Sequence, residues 1–184
     1  MDLDVCVEKI FKGQKEYFNV LVKQLQVPVY RLAVKMVGDK EEAKDLTQEI
    51  FLKVYKSFAT YDRSVKITTW IYRIATNTCI DYLRKKKELL MLKEDQAIQI
   101  EKRADLLPEK AFEVKELSQD INSKINLLPE SYRVVVILKY INELTFEEIA
   151  DILKQPVSTV KTKLYRAREM LRGHLLETKR EGSG

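Results

Sequence analysis

The chain has 184 residues, 45% of them hydrophobic, and a formal charge of +5. That is enough apolar material for one or two domains, while the scarcity of glycine (5) and proline (4) speaks against a turn-rich β fold. No apolar run reaches the ~20 residues of a bilayer span, no signal-peptide profile opens the chain and Cys6 and Cys79 form no CxxC pair, so a reduced, cytoplasmic protein is expected.

The first periodic segment runs from Lys15 to Val37. Phe18, Leu21, Val22, Leu25, Val29, Leu32, Ala33 and Met36 recur at three- and four-residue steps, which predicts an amphipathic helix. Pro28 should kink or break it. Gly38-Asp39 reads as a helix stop followed by a new N-cap, and the helix from Lys40 to about Phe58 would bury Ala43, Leu46, Ile50 and Val54. A polar loop from Ala59 to Lys66 follows. From Thr68 to about Lys87 a third helix carries Ile71, Ile74, Ala75, Thr78 and Tyr82 on one face, closing a first domain over residues 1–87.

Residues 88–110 change character, with Glu88, Glu94, Asp95, Glu101, Asp105 and Glu109 spread among polar residues and Pro108 near the end. They read as a flexible charged linker, with transient helix around Leu89 to Leu92. Val114, Leu117, Ile121, Ile125 and Leu128 then form another helical stripe that Pro129 stops, and a short apolar helix spans Tyr132 to Ile141. The expected fold is all-α: two small helical domains joined by that linker, the second over residues 111–181 with a helix-turn-helix. Gly182-Ser183-Gly184 reads as the remnant of an appended tag.

The helix-turn-helix rests on local chemistry. Thr145-Phe146-Glu147-Glu148 is a capping box, in which Thr145 and Glu148 satisfy each other's backbone donors. The helix it opens carries Ile149, Ala150, Ile152 and Leu153, and small Ala150 permits a close helix crossing. Lys154 to Val157 form the turn, and Ser158 is placed to cap the next helix, whose buried face is Val160, Leu164, Ala167 and Leu171. Turns of this type commonly use glycine for a left-handed residue. Here Lys154 or Gln155 must serve, at a cost of about 1 kcal/mol. Between Gln155 and Arg180 seven basic residues face two acidic ones, the pattern of a helix that enters the major groove. An ordinary helical hairpin with a solvated basic face carries the same pattern.

Three stretches together resemble the extracytoplasmic-function group of bacterial sigma factors: Asp45-Leu46-Thr47-Gln48-Glu49-Ile50-Phe51, Thr69-Trp70-Ile71-Tyr72-Arg73-Ile74-Ala75-Thr76-Asn77, and Pro156 to Arg168. The resemblance covers nearly the whole chain. It implies a factor that binds core RNA polymerase, through the β′ clamp and the β flap, and directs promoter-specific initiation. Glu41, Asp45 and Glu49, spaced four apart with Gln48 beside them, make an acidic helix face, and the resemblance assigns these four residues to the β′ clamp. It assigns Tyr61, Asp62, Arg63, Ser64, Lys66, Trp70, Arg73 and Asn77 to the −10 element, where a flipped base is pocketed and Lys66 and Arg73 hold phosphates. Trp70 suits a core position as well as a stacking one.

At the −35 element the resemblance places Lys161, Thr162, Tyr165 and Arg166 towards bases and Ser158, Thr159, Lys163 and Arg168 on phosphates. The linker's acidic residues would lie in the RNA exit path, although solubility accounts for those charges equally. A membrane-anchored anti-sigma factor is the further partner the family implies. Two other readings compete: a dimeric helix-turn-helix regulator that binds a palindrome alone, and an enzyme such as a nuclease. No HExxH, P-loop, GxSxG or Cys–His arrangement is present, so no catalytic residue, metal or cofactor is expected, and the lone His174 reads as solvated.

Overall fold

The computed structural model describes residues 2–96 and 123–181, with side chains over 2–92 and 123–173. Every regular element among them is helical. The N-terminal domain comprises α1 (Leu3–Phe11), α2 (Glu16–Val37), α3 (Lys40–Ser57) with one 3-10 turn (Phe58–Thr60), and α4 (Ile67–Gln96). The C-terminal domain comprises a short helical stretch at 123–127, then α5 (Glu130–Tyr140), α6 (Phe146–Leu153) and α7 (Val157–Glu181).

The α2–α3 corner follows its local chemistry. Gly38 closes α2 at φ 83°, a left-handed position that only glycine adopts freely. One residue on, the Asp39 carboxylate accepts from the backbone N–H groups of Glu41 (2.8 Å) and Glu42 (2.9 Å) and opens α3. Leu21, Leu25, Val29, Leu32, Ala33 and Met36 of α2 meet Ala43, Ile50 and Val54 of α3 and Ile71, Ala75 and Cys79 of α4 in the core. The predicted stripes thus face inward.

Four features depart from the sequence reading. α1 has no counterpart in it; Asp2 caps this helix by accepting from Asp4 N–H at 3.1 Å, and Cys6 and Val7 bury its inner face. α2 runs unbroken through Pro28, where proline removes a single helical hydrogen bond while its flanking turns stay packed. α4 continues past Lys87 to Gln96, because Lys85-Lys86-Lys87-Glu88-Leu89-Leu90-Met91-Leu92 holds only good helix formers. Ser158 lies inside the first turn of α7 and does not cap it; Pro156 stands just before the helix and accepts from Val160 N–H at 3.1 Å. Residues 97–110 of the expected linker, the stripe residues Val114, Leu117 and Ile121, and the 182–184 tail lie outside the described residues. Among the described residues no helix is long and apolar enough to cross a membrane.

Candidate polymerase and promoter interfaces

On α3, Glu41, Asp45, Gln48 and Glu49 are exposed while Ala43, Leu46 and Ile50 are buried, so the acidic residues share the outer face. The charge is partly answered in place. Lys44 pairs with Glu41 at 2.8 Å and Lys53 with Glu49 at 2.7 Å, exposed pairs worth little. Asp45 lies in no ion pair among the described residues.

Beside Gln48, an apolar groove of about 330 Å³ runs between α2 and α3, lined by Gln26, Val27, Tyr30, Lys44, Thr47 and Gln48. Val27 is 51% exposed there, and Leu52, one turn beyond Gln48, is 59% exposed. Sequence reasoning missed Val27, Tyr30 and Leu52. The signal was present in Leu52, an aliphatic residue four positions from Gln48 on a polar face.

The polar loop is internally tied. Asp62 forms a turn by accepting Ser64 N–H at 2.9 Å and Ser64 Oγ–H at 2.8 Å. These bonds, the backbone one foremost, hold its carboxyl below the usual carboxylate range. Tyr61 does not present its ring: it is 8% exposed, tilted against Trp70 with ring centroids 5.1 Å apart, and its hydroxyl donates to the Val65 carbonyl. Tyr61 therefore shapes the loop from beneath. Trp70, half-buried, joins Phe58 edge-on at 6.2 Å, so its ring serves the core while one side remains accessible.

Arg63 lies over the Phe11 ring at 5.3 Å, and Asp62, Ser64, Lys66 and Asn77 are exposed. A polar cavity of about 280 Å³ opens between α1 and this loop, bordered by Asp4, Glu8, Tyr61, Arg63, Ser64 and Lys66. The contribution of α1 to this cavity, through Asp4 and Glu8, is one that sequence reasoning missed.

In the C-terminal domain the capping box is complete. Thr145 N–H donates to Glu148 Oε2 at 2.9 Å, and Glu148 N–H donates to Thr145 Oγ1 at 3.2 Å. The Thr145 backbone bond lowers the Glu148 pKa, with its hydroxyl and Lys66 adding to the effect. The turn uses Lys154, at φ 51° and ψ 48°, as its left-handed residue. Val160, Leu164 and Ala167 seat α7 on the domain core, leaving Ser158, Lys161, Thr162, Tyr165, Arg166 and Arg168 exposed and Thr159 and Lys163 half-buried. Tyr165 is 65% exposed.

Arg168 is tethered: it donates to the Tyr140 hydroxyl, with its guanidinium 5.5 Å from that ring. Lys161 rides over Phe146 at 5.4 Å. Tyr140 and Phe146 therefore aim two of the basic side chains, a function the sequence pattern did not reveal. Among the described residues no cluster of His, Cys, Asp and Glu suits a metal ion; the His174 side chain lies outside them.

A capped helix, a tight turn at a left-handed residue and a basic second helix define a helix-turn-helix protein of the kind that reads duplex DNA, here carried with a second helical domain. The family profiles agree on what that second domain is. "Sigma-70 region 2" matches residues 21–88 and "Sigma-70, region 4" matches residues 118–171. The ECF RNA polymerase sigma factor SigW of Bacillus subtilis is 41% identical over 176 residues, covering 92% of this chain and 94% of its own.

Two solved structures share the fold: CnrH in complex with the cytosolic domain of CnrY (TM-score 0.70, 20% identity, 93% of this chain and 95% of that one), and the sigma factor RpoE with the anti-sigma factor NepR from Bartonella quintana (TM-score 0.63, 20% identity, 91% and 97%). The chain belongs to the sigma-70 family, in its ECF group, and is an RNA polymerase sigma factor.

Proposed function

We propose that the chain binds core RNA polymerase through the outer face of α3, reads −35 duplex DNA with α7, and captures melted −10 DNA at the loop between the 3-10 turn and α4. It has no catalytic role of its own and acts in the cytoplasm. The observation that carries this reading is the α3 face. Asp45 stands unpaired there beside a groove walled by Val27 and Tyr30, and such a pairing of free carboxylate and apolar slot suits a helical partner that offers a cation next to an aliphatic side chain.

The −35 assignment is supported by Lys161, Thr162, Tyr165 and Arg166, which share the exposed side of a helix seated by Val160, Leu164 and Ala167. Arg166 can pair with guanine O6 and N7, and Arg168, held by Tyr140, is preset for a phosphate. At −10, the cavity bordered by Arg63 and Ser64 suits a flipped base, its acidic wall at Asp4 and Glu8 favouring base donors over phosphates. We also assign residues 1–87 to the polymerase and −10 domain, 88–110 to the linker, whose first residues to Gln96 extend α4, and 111–181 to the −35 domain. The two fold neighbours were solved in complex with CnrY and NepR, which supports an anti-sigma partner for this chain as well.

The test is transcription in vitro with purified core polymerase on a promoter library. Specific initiation that requires this protein, together with loss of co-elution in Asp45→Lys, is the expected outcome. A protein that binds a palindrome tightly by itself and leaves core polymerase inert belongs to the helix-turn-helix regulators, and would overturn the reading.

A further inference from the structure

The end of the N-terminal domain where α1 turns into α2 carries more aromatic surface than its core uses. Phe58 is buried and gathers Phe11 at 5.2 Å and Phe18 at 6.1 Å around it, and Tyr55 stands edge-on to Phe18 at 5.0 Å. Two of these rings stay largely in solvent: Phe11 is 42% exposed and Tyr55 51%. A groove of about 330 Å³ opens here, walled by Ile10, Phe18, Tyr55 and Phe58, with Lys15 and Lys56 completing its lining. No carboxylate lines it. Both lysines are exposed, and among the described residues neither lies in an ion pair.

Phe11 joins this groove to the polar cavity assigned to the flipped base. On one side its ring carries the Arg63 guanidinium at 5.3 Å, and Arg63 borders that cavity. On the other it meets Phe58, a wall of the groove. A polar pocket and an aromatic, lysine-flanked slot therefore stand side by side along α1.

We propose that the groove is a second single-strand subsite, in which a further unpaired base of the melted strand packs against Tyr55 while Lys15 and Lys56 hold its phosphates. This rests on the −10 reading above, because the subsite takes the strand onward from the Arg63 cavity. Rings that offer a face and cations that offer charge are what an unpaired, polyanionic strand needs. Apart from the Tyr55 hydroxyl, the aromatic and aliphatic walls present nothing that reads a base edge. The subsite accepts any base and holds the strand, leaving selection to the polar cavity. Charge also separates it from the polymerase face. Asp45 lies about 15 Å back along α3, where the acidic residues suit a cationic partner; the Lys15 and Lys56 ammonium groups repel such a partner and attract a phosphate chain.

The test uses the full chain bound to core polymerase on promoters in which 5-iododeoxyuridine replaces one non-template base at a time, from the −10 element to the start site. Irradiation followed by mass spectrometry locates the contacts. One position should give an adduct on Tyr55 or Phe18, and Tyr55→Ala should abolish it while adducts on the 61–70 segment persist. The double variant Lys15→Gln, Lys56→Gln should lower the salt slope for a single-stranded −10 oligonucleotide by about 0.7 per lysine and leave co-elution with core polymerase unchanged. All three side chains are exposed, and circular dichroism checks that the variants fold. Adducts on the 61–70 segment with none in the groove at any position, or an unchanged salt slope, would overturn the subsite. So would variants that lose core polymerase in the absence of DNA, which would make the groove a polymerase contact. No adduct at either place would sink the −10 reading itself, and the subsite with it.

Discussion

Replacing Gly38 by alanine isolates one backbone requirement of the fold. Gly38 ends α2 at φ 83° and ψ −12°, with its N–H on the Val34 carbonyl. An L-residue held there costs roughly 1–2 kcal/mol, and alanine recovers about 0.4–1 kcal/mol by restricting the unfolded chain. A Cβ would also come within 3.0 Å of Asn126 Nδ2. That atom is the tip of a flexible side chain, so crowding is the smaller effect. The net expectation is a loss of about 0–1.6 kcal/mol, centred near 0.8 kcal/mol, read as a lower urea midpoint at unchanged slope. Pairing the substitution with Asn126→Ala separates the causes. If strain dominates, Gly38→Ala costs the same in either background; if crowding dominates, the loss disappears once the Asn126 side chain is cut back. A Gly38→Ala protein clearly more stable than the parent would refute the left-handed cap.

Three further outcomes follow from the same geometry. Arg166→Ala should cost about 1–3 kcal/mol of binding at one −35 position and relax preference there, whereas Lys163→Ala should weaken all promoters alike, both measured with polymerase holoenzyme on a promoter panel. Burial pushes the Cys79 thiol up to about 12, so iodoacetamide at pH 8.5 should leave it unmodified by mass spectrometry until denaturant is added. Glu148 is held below its ordinary value by Thr145 and Lys66. Its stabilisation is therefore complete above the unfolded carboxyl value of about 4.3 and is lost as pH falls through the lower folded value. Thermal melts from pH 6 to pH 3 should show a shallower acid loss in Glu148→Gln than in the parent.

The elements that are legible in the sequence are those whose stability is local. The Gly38-Asp39 corner and the Thr145–Glu148 capping box each place donor and acceptor within three residues, and both form with the expected partners. The stripes on α2, α3 and α7 are legible because burial follows helical period, and a left-handed residue in the turn can be deduced from the absence of glycine. α1 escapes a sequence reading for a physical reason: nine residues with two buried positions give too short a period to stand out, and the helix owes its place to packing on α2. Pro28 signals a break because propensity opposes it, yet Leu25, Val29 and Leu32 on either side are buried, and tertiary burial outweighs one missing hydrogen bond.

The site residues divide along the same line. Facing direction is readable for Asp45 and Arg166, since one helical period decides it. It is not readable for Tyr61, because a loop has no period, and whether its ring turns out to solvent or in to Trp70 depends on the Val65 carbonyl four residues away. The interdomain contact has no sequence signature at all. Asn142, Arg133 and Arg73 bond to backbone carbonyls, groups every residue possesses, so no partner residue type marks the pairing. Such contacts tolerate change on the accepting side wherever the acceptor is backbone; the exception is Tyr72, whose hydroxyl accepts the second Asn142 bond. A conservative change at Met36 that preserves α2 should therefore leave the domain contact alone, while loss of the donor at Asn142 or of the hydroxyl at Tyr72 should weaken it.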